Sequence, residues 1–338
     1  MARKAKAVVF AGIRRVEIWD DLEIPSPERD EVLVRTELTG ISVGTDGWML
    51  LGRYPRSKEQ YPFVYGYQRV GVIEETGSEV RDLGEGDRVF VGIGPTRLAP
   101  HSRLVESAWA YTSYGCCKAK AAVKIPDDVA SEDAALTGLV AVPMVGRNLT
   151  GIEAGELVVV LGQGMVGQMA AQLCRIRGAR VIGVDILEKR VELSRRFSSD
   201  IGVNSNEGDL VEVVHREQRA GADVVFDCTG RSDLFNLCMD IVRGECNEHA
   251  KPGKLCMQGF FPDPIPVDFG AAHHRRLTMT FPCGFDLSGT VEALRLMSEK
   301  RLEIQGLVSH VWDVDQAPEA FSLMLDRPND VLAMYIRW

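Results

Sequence analysis

The segment that most constrains this chain is Leu157-Val158-Val159-Val160-Leu161, which runs directly into Gly162-Gln163-Gly164-Met165-Val166-Gly167. Five consecutive apolar residues without polar alternation read as a strand buried on both faces. The residues that follow, Met169, Ala170, Leu173 and Ile176, recur at helical spacing. A strand, a G-x-G-x-x-G turn and a helix in that order open a dinucleotide-binding βαβ unit. Gly162 serves the tight turn, Gly164 lets a pyrophosphate approach the backbone, and Gly167 allows the helix to pack closely on the strand. Phosphate charge then rests on the helix N-terminus, at Met165 and Val166.

The next apolar run, Arg180 to Val184, ends at Asp185, 18 residues past Gly167 and close to the ~20-residue offset of a ribose-binding acid. A carboxylate there accepts hydrogen bonds from both ribose hydroxyls and repels a 2′-phosphate, so NAD is expected over NADP. Lys189 and Arg190 are expected on the exposed face of the following helix. Asp227-Cys228-Thr229-Gly230 closes a later strand at the same sheet edge, which makes Cys228 and Thr229 further cofactor-binding candidates.

Around this motif the texture alternates. Helices are expected at 165–177, 188–197 and 233–242, with apolar strands at Arg180 to Val184, Val224 to Asp227 and Lys254 to Gln258, a pattern that implies a parallel sheet covered on both faces. Before Pro126 the chain is β-rich, with runs at Lys6 to Phe10, Val16 to Trp19, Val32 to Leu38, Val70 to Glu74 and Arg88 to Val91 separated by glycine and proline turns. A helix is expected after Ser131-Glu132-Asp133 and another at 289–299, with strands near Val308 and at Val331 to Ile336. At 338 residues, about 100–200 residues per domain gives two domains.

Charge narrows the partners. Lys and Arg total 39 against 48 Asp and Glu, a net charge of −9, and the densest basic cluster, His273-His274-Arg275-Arg276, is four residues long. Neither nucleic acid nor an anionic membrane is expected as a partner. The apolar run near the N-terminus is too short for a signal-peptide core or a membrane span. Eight cysteines with no C-x-x-C pair fit a reducing compartment, so the expected location is cytoplasmic.

With a β-rich first domain, an inserted dinucleotide fold and a short C-terminal return, the chain resembles the medium-chain dehydrogenase/reductase superfamily over nearly its whole length. Supporting landmarks are Gly66-Tyr67-Gln68, Val70-Gly71-Val72-Ile73, Gly84-Glu85-Gly86-Asp87-Arg88-Val89, Lys124-Ile125-Pro126 and Leu307-Val308-Ser309-His310. The resemblance implies an α/β fold: a Rossmann-type doubly wound parallel sheet inserted into a β-rich, GroES-like substrate domain. Residues 1–125 form that substrate domain, 126–284 the NAD-binding domain, and 285–338 a return that completes the first. It also implies a homodimer or homotetramer.

Departures from the family pattern point to the chemistry. Zinc-dependent members carry Cys-Gly-Thr/Ser-Asp, where this chain has Val43-Gly44-Thr45-Asp46, and their Gly-His-Glu is here Gly66-Tyr67-Gln68. The third ligand position of polyol dehydrogenases falls at about Gly138. Cys116-Cys117 is a lone adjacent pair where structural-zinc members have a four-cysteine lobe. Zn²⁺ needs three or four N, S or O ligands, so no metal is expected. Two short segments, Gly40 to Asp46 and Tyr65 to Gln68, are similar to the bacteriochlorophyllide dehydrogenase subgroup.

Without a metal, a side chain must move the proton that accompanies hydride transfer. Tyr67, at a lost ligand position, is the first candidate, as proton donor in reduction or, with its pKa lowered by neighbouring Arg69 or by the nicotinamide cation, as base in oxidation. Thr45 matches the family hydroxyl that contacts the substrate oxygen, and Asp46 either orients a partner, accepts the proton or stabilises a first helical turn. Trp48, His101 (with Arg103) and His273, the last placed in a loop after Asp268, are candidates for contact with a small-molecule substrate. The expected activity is hydride transfer between a secondary alcohol, or its ketone, and NAD. Redox-neutral elimination or epimerisation, reduction of an activated C=C bond and non-catalytic NAD sensing are the alternatives.

Overall fold

The computed structural model describes residues 3–54, 61–92, 94, 96–99, 104, 109–244 and 251–338. The chain divides into two compact units, 1–138 with 286–300 and 307–338, and 139–285 with 301–306. The first division falls 13 residues beyond the boundary read from the sequence at 125/126. Residues 126–138 stay with the first unit because Arg88 donates to the Pro126 carbonyl and the Ala135 carbonyl lies against Gly40. Residues 301–306 join the second because Gln172, on the helix Met165–Ile176, exchanges hydrogen bonds with the Glu303 backbone.

The second unit holds a six-stranded sheet in the order Ile201–Asn204, Arg180–Asp185, Leu157–Leu161, Val224–Asp227, Lys254–Met257, Thr278–Thr280. Every pairing is parallel. Counted along the chain this is the doubly wound order 3-2-1-4-5-6. The strand Leu157–Leu161 is fully buried because its side chains alternate between two cores: Leu157, Val159 and Leu161 enter one cluster, Val158 and Val160 the other. Register brings Leu161 level with Val184 and Asp227, so Gly162, Asp185 and Cys228 emerge side by side at the carboxyl edge of the sheet.

The first unit is β-rich and contains a three-stranded and a seven-stranded sheet. Its hub is Glu31–Ile41, which pairs antiparallel with Arg69–Thr76, Tyr114–Lys118 and Ala333–Arg337. Ala333–Arg337 pairs in parallel with Val308–Asp313, so the C-terminal return completes the N-terminal sheet. Ser42 carries the hub strand directly into the helix Val43–Leu50. Beneath that helix lies an aromatic core in which Phe10 meets Phe63 at 5.5 Å and Phe321 at 5.1 Å, both edge-on. Among the described residues no helix is long and apolar enough to cross a membrane.

Candidate active site

The candidate groups fall into two sets. In the second unit, Gly162 has φ +84 and Gly167 packs so closely that a Cβ there would sit 1.7 Å from the Gly162 carbonyl oxygen. Gly164 ends the loop as the residue before the helix Met165–Ile176, and a Cβ on it would meet nothing within 4 Å. The three glycines therefore separate into a left-handed turn, an open approach and a tight packing contact. Backbone N–H groups at the N-terminus of this twelve-residue helix face that open approach, the arrangement that suits a pyrophosphate.

Asp185 lies at the end of its strand and is 7% exposed. Its Oδ2 accepts from the Gln163 N–H at 2.7 Å and its Oδ1 from the Leu187 N–H at 3.0 Å. Each oxygen keeps acceptor capacity for a ribose hydroxyl. Arg190 departs from expectation: its guanidinium is mostly covered and lies 3.9 Å from Asp185, whereas Lys189 is exposed. Gln163, the variable residue between two motif glycines, is fully buried and ties the loop to its neighbours, donating to the Val160 carbonyl and accepting from the Ser194 hydroxyl. No sequence signal marked it beyond its place in the motif.

Cys228 and Thr229 form the crest of the adjacent strand. Asp227 Oδ1 accepts from both the backbone and the hydroxyl of Thr229, and Cys228 lies against the contact made by Gly167. Burial pushes the Cys228 thiol well up, which makes it a packing group and not a nucleophile. His273 sits on a short helix, Phe269–His274, and not in a loop. Asp268 caps that helix by accepting from the Ala271 N–H, and His273 is exposed and stacked on Phe269.

In the first unit the proton-transfer candidates converge. The Tyr67 hydroxyl is hydrogen-bonded to the side chains of Ser42 and Thr45. Burial and the nearby Asp46 carboxyl together raise the Tyr67 phenol above its ordinary value. Arg69 does not lower it. The Arg69 guanidinium donates instead to the Thr96 and Thr112 hydroxyls and to the Trp109 and Ala110 carbonyls. Asp46 belongs to the first turn of the helix Val43–Leu50 and is buried. Its Oδ2 accepts from the Ser42 N–H at 2.9 Å and from the Tyr111 hydroxyl. Tyr111 and Ser42 were not singled out from the sequence.

The positions that the resemblance reads as replaced metal ligands have other occupants, of which Gln68 and Gly138 lie together. Val43 offers no donor. The Gln68 side chain is wedged between two glycines: a Cβ on Gly40 would lie 2.7 Å from its Nε2, and one on Gly138 2.8 Å from its Oε1. Among the described residues no group of three His, Cys, Asp or Glu is gathered as a metal ion would need. This donor set does not suit Zn²⁺. Trp48 is half-buried under the Arg53 guanidinium at 4.7 Å. His101 and Arg103 lie outside the described residues.

Comparison with known proteins covers both units. Residues 28–127 match the alcohol dehydrogenase GroES-like domain, and residues 165–299 match a family described as zinc-binding dehydrogenase. The L-threonine 3-dehydrogenase of Deinococcus deserti is 28% identical over 92% of this chain and 93% of its own. Two solved structures superpose with a TM-score of 0.84, each over 99% of this chain and 100% of its own: a protein described as a zinc-binding dehydrogenase from Sinorhizobium meliloti 1021 bound to NADP, 22% identical, and a short chain alcohol dehydrogenase from Escherichia coli CFT073 complexed with NADH, 20% identical. Both domain families are present in their usual order, with the fold to match, and the chain belongs to the medium-chain dehydrogenase/reductase superfamily of oxidoreductases.

Proposed function

We propose that this protein is a zinc-independent, NAD-dependent oxidoreductase that interconverts a secondary alcohol and its ketone, with Tyr67 as the proton-transfer residue. The observation that carries this reading is the Tyr67 hydroxyl, hydrogen-bonded to Ser42 and Thr45 in a site whose ligand positions hold Val43, Gln68 and Gly138. A bound nicotinamide supplies hydride exchange. Gly162, Gly164, Gly167 and the helix N-terminus at Met165 and Val166 would hold its pyrophosphate, and Asp185 its ribose hydroxyls. Support for NAD over NADP comes from the two carboxylate oxygens of Asp185 at the carboxyl end of their strand, which would accept from ribose hydroxyls and repel a 2′-phosphate.

Tyr67 is a neutral phenol at working pH, because its environment favours the protonated form. It therefore donates to the developing alkoxide during ketone reduction, and Thr45 holds the hydroxyl in place. In the reverse direction the same phenol must first be deprotonated, which makes reduction the faster direction near neutral pH. The two segments similar to bacteriochlorophyllide dehydrogenases are those that build this hydroxyl network, so that likeness supports the proton-transfer arrangement and not a tetrapyrrole substrate.

Self-association and a cytoplasmic location belong to the same proposal. Thr278–Thr280 is the outer strand of its sheet, and Val267, Phe269 and Phe281 are exposed in the same unit, which supports pairing with a second copy. The described cysteines are all unpaired, as suits a reducing compartment.

The test combines elemental analysis of the purified protein with NADH-dependent reduction of a panel of ketones. Substoichiometric zinc with turnover that survives chelator is the expected result, and Tyr67→Phe should cut kcat by about 10²-fold or more with little change in cofactor affinity. One tightly held zinc per chain, or a Tyr67→Phe variant with the parent kcat, would overturn the reading.

A further inference from the structure

We propose that Asp46 and Tyr111 form a proton-sharing pair in which burial keeps Asp46 a neutral acid near Tyr67, with Tyr111 able to accept from the acid or donate to its anion, and that ionisation of Asp46 switches off proton donation by Tyr67. The pair itself stands on the geometry below. Its effect on Tyr67 rests on the reading of Tyr67 as the proton donor.

Asp46 is buried, and its two oxygens are unequal. Oδ2 receives the Ser42 N–H and the Tyr111 hydroxyl, while Oδ1 is buried without a hydrogen-bond partner among the described residues. A carboxylate offers about four acceptor sites and loses heavily when one oxygen is left bare in the interior, whereas a neutral acid tolerates a bare carbonyl oxygen better. Tyr111 has a second acceptor in reach, the Gly40 carbonyl at 3.4 Å. This gives both protonation states a complete path. With Asp46 ionised, Tyr111 donates to Oδ2. With Asp46 protonated on Oδ2, the carboxyl donates to the Tyr111 oxygen and Tyr111 donates to Gly40.

Among the described residues, the titratable groups that face Asp46 are phenols: Tyr65 and Tyr67 from the segment before strand Arg69–Thr76, and Tyr111 from the segment before strand Tyr114–Lys118. Among the described residues no cation acts on it. Burial accordingly pushes the Asp46 carboxyl up to about 7 against the opposing hydrogen bonds from Tyr111 and Ser42. Tyr111 cannot swing away. Its ring lies on Gly66, where φ is +86 and any Cβ would sit 2.7 Å from ring carbons, and its far side meets Phe321 edge-on at 5.8 Å.

The consequence for Tyr67 follows from charge. Giving up its proton leaves a phenolate, and a negative Asp46 nearby opposes that. A neutral Asp46 removes the opposition, so Asp46 acts as a positioning group whose charge sets the pH range in which Tyr67 donates.

The test is infrared difference spectroscopy of the full chain across pH, comparing the parent with Asp46→Asn and Tyr111→Phe. A protonated-carboxyl carbonyl stretch should titrate near neutral pH in the parent and be missing in Asp46→Asn. In Tyr111→Phe its midpoint should rise by about one pH unit, because a donor to the carboxylate is gone. A band that titrates below about pH 5, or a midpoint that Tyr111→Phe leaves in place or lowers, overturns the pair. In the kinetic arm, kcat for ketone reduction should fall as pH rises through the parent's infrared midpoint, and Asp46→Asn should lose that limb. An infrared titration as expected beside a pH-flat kcat in the parent overturns the link to Tyr67 while the pair stands.

Discussion

A buried carboxyl with a raised pKa must leave a thermodynamic signature of defined sign. An aspartate in an unfolded chain titrates near ~3.9, whereas Asp46 in the folded protein titrates at about 7. Between those values the folded state binds the extra proton. Stability is therefore fully present below the unfolded pKa and is lost as pH rises through the folded one. Three units of difference amount to about 4 kcal/mol in total, of which roughly 2.5 kcal/mol falls between pH 5 and pH 8. Asp46→Asn keeps the shape and the acceptor for Ser42 and Tyr111 but cannot ionise. Its stability relative to the parent should climb by that amount over the window, or roughly 5–10 °C in midpoint for a unit of this size. All five tryptophans, Trp19, Trp48, Trp109, Trp312 and Trp338, belong to the unit that contains Asp46, so their fluorescence follows its unfolding selectively. Glu31, whose burial is overcome by hydrogen bonds from Arg97, the Glu28 backbone and Cys116 acting together, so that its carboxyl is drawn down to about 2, loses its contribution only as pH falls below the ordinary carboxylate range. It stays outside the window and is common to both proteins. A parent-minus-variant difference that is flat from pH 5 to 8, or that favours the parent as pH rises, would refute the reasoning.

Three further outcomes follow from the glycine contacts and the ribose acid. Gly66→Ala must adopt φ near +86 and push the Tyr111 ring aside, so it should cost roughly 2–4 kcal/mol; a tryptophan-fluorescence midpoint equal to the parent's would remove the packing argument. Gly164→Ala adds a methyl where nothing in the protein is met, so the thermal midpoint should hold while calorimetric affinity for NADH drops at least about tenfold, close to 1.4 kcal/mol. Equal affinity would show that the approach is not used. Asp185→Ala should narrow the preference for NADH over NADPH by about tenfold, and a ratio that stays the same or widens would show that the Asp185 charge does not select the cofactor.

The dinucleotide half was legible because its signals are local. Apolar runs such as Leu157–Leu161 have no other satisfying fate than a doubly covered strand, and each motif glycine answers a different steric demand. The strand Ile201–Asn204 and the helix Leu210–Glu217 escaped the reading for physical reasons. The strand is four residues long with Gly202 inside it. The helix is rich in valine, whose stiff side chains favour strands, and it forms because Asp209 caps its first turn and Leu210 and Val214 are buried. A cap was also the missing signal at His273, where Asp268 turns an expected loop into a helix. Arg190 was misplaced because periodicity assigns a face and ignores the pull of the Asp185 carboxylate at the end of the preceding strand.

Arg69 was misread for a reason that connects it to the inferred pair. Proximity in sequence placed its charge beside Tyr67, but the left-handed Gly66 turns the chain just before the strand begins at Arg69. Its guanidinium is buried among carbonyls and hydroxyls, which draws its pKa down to about 10 by desolvation. Three of those acceptors, the Trp109 and Ala110 carbonyls and the Thr112 hydroxyl, bracket Tyr111 on both sides. Arg69 therefore fixes the backbone that presents Tyr111 to Asp46, although it does not act on Asp46 itself. Gly115 makes room for it, since a Cβ there would sit 1.5 Å from Nη1. A lysine carries the charge but lacks the planar fork needed to reach several acceptors at once. Arg69→Lys should consequently loosen residues 109–112 and raise the Asp46 infrared midpoint toward the Tyr111→Phe value. A folded Arg69→Lys protein with the parent midpoint would show that Tyr111 is held by its ring contacts alone.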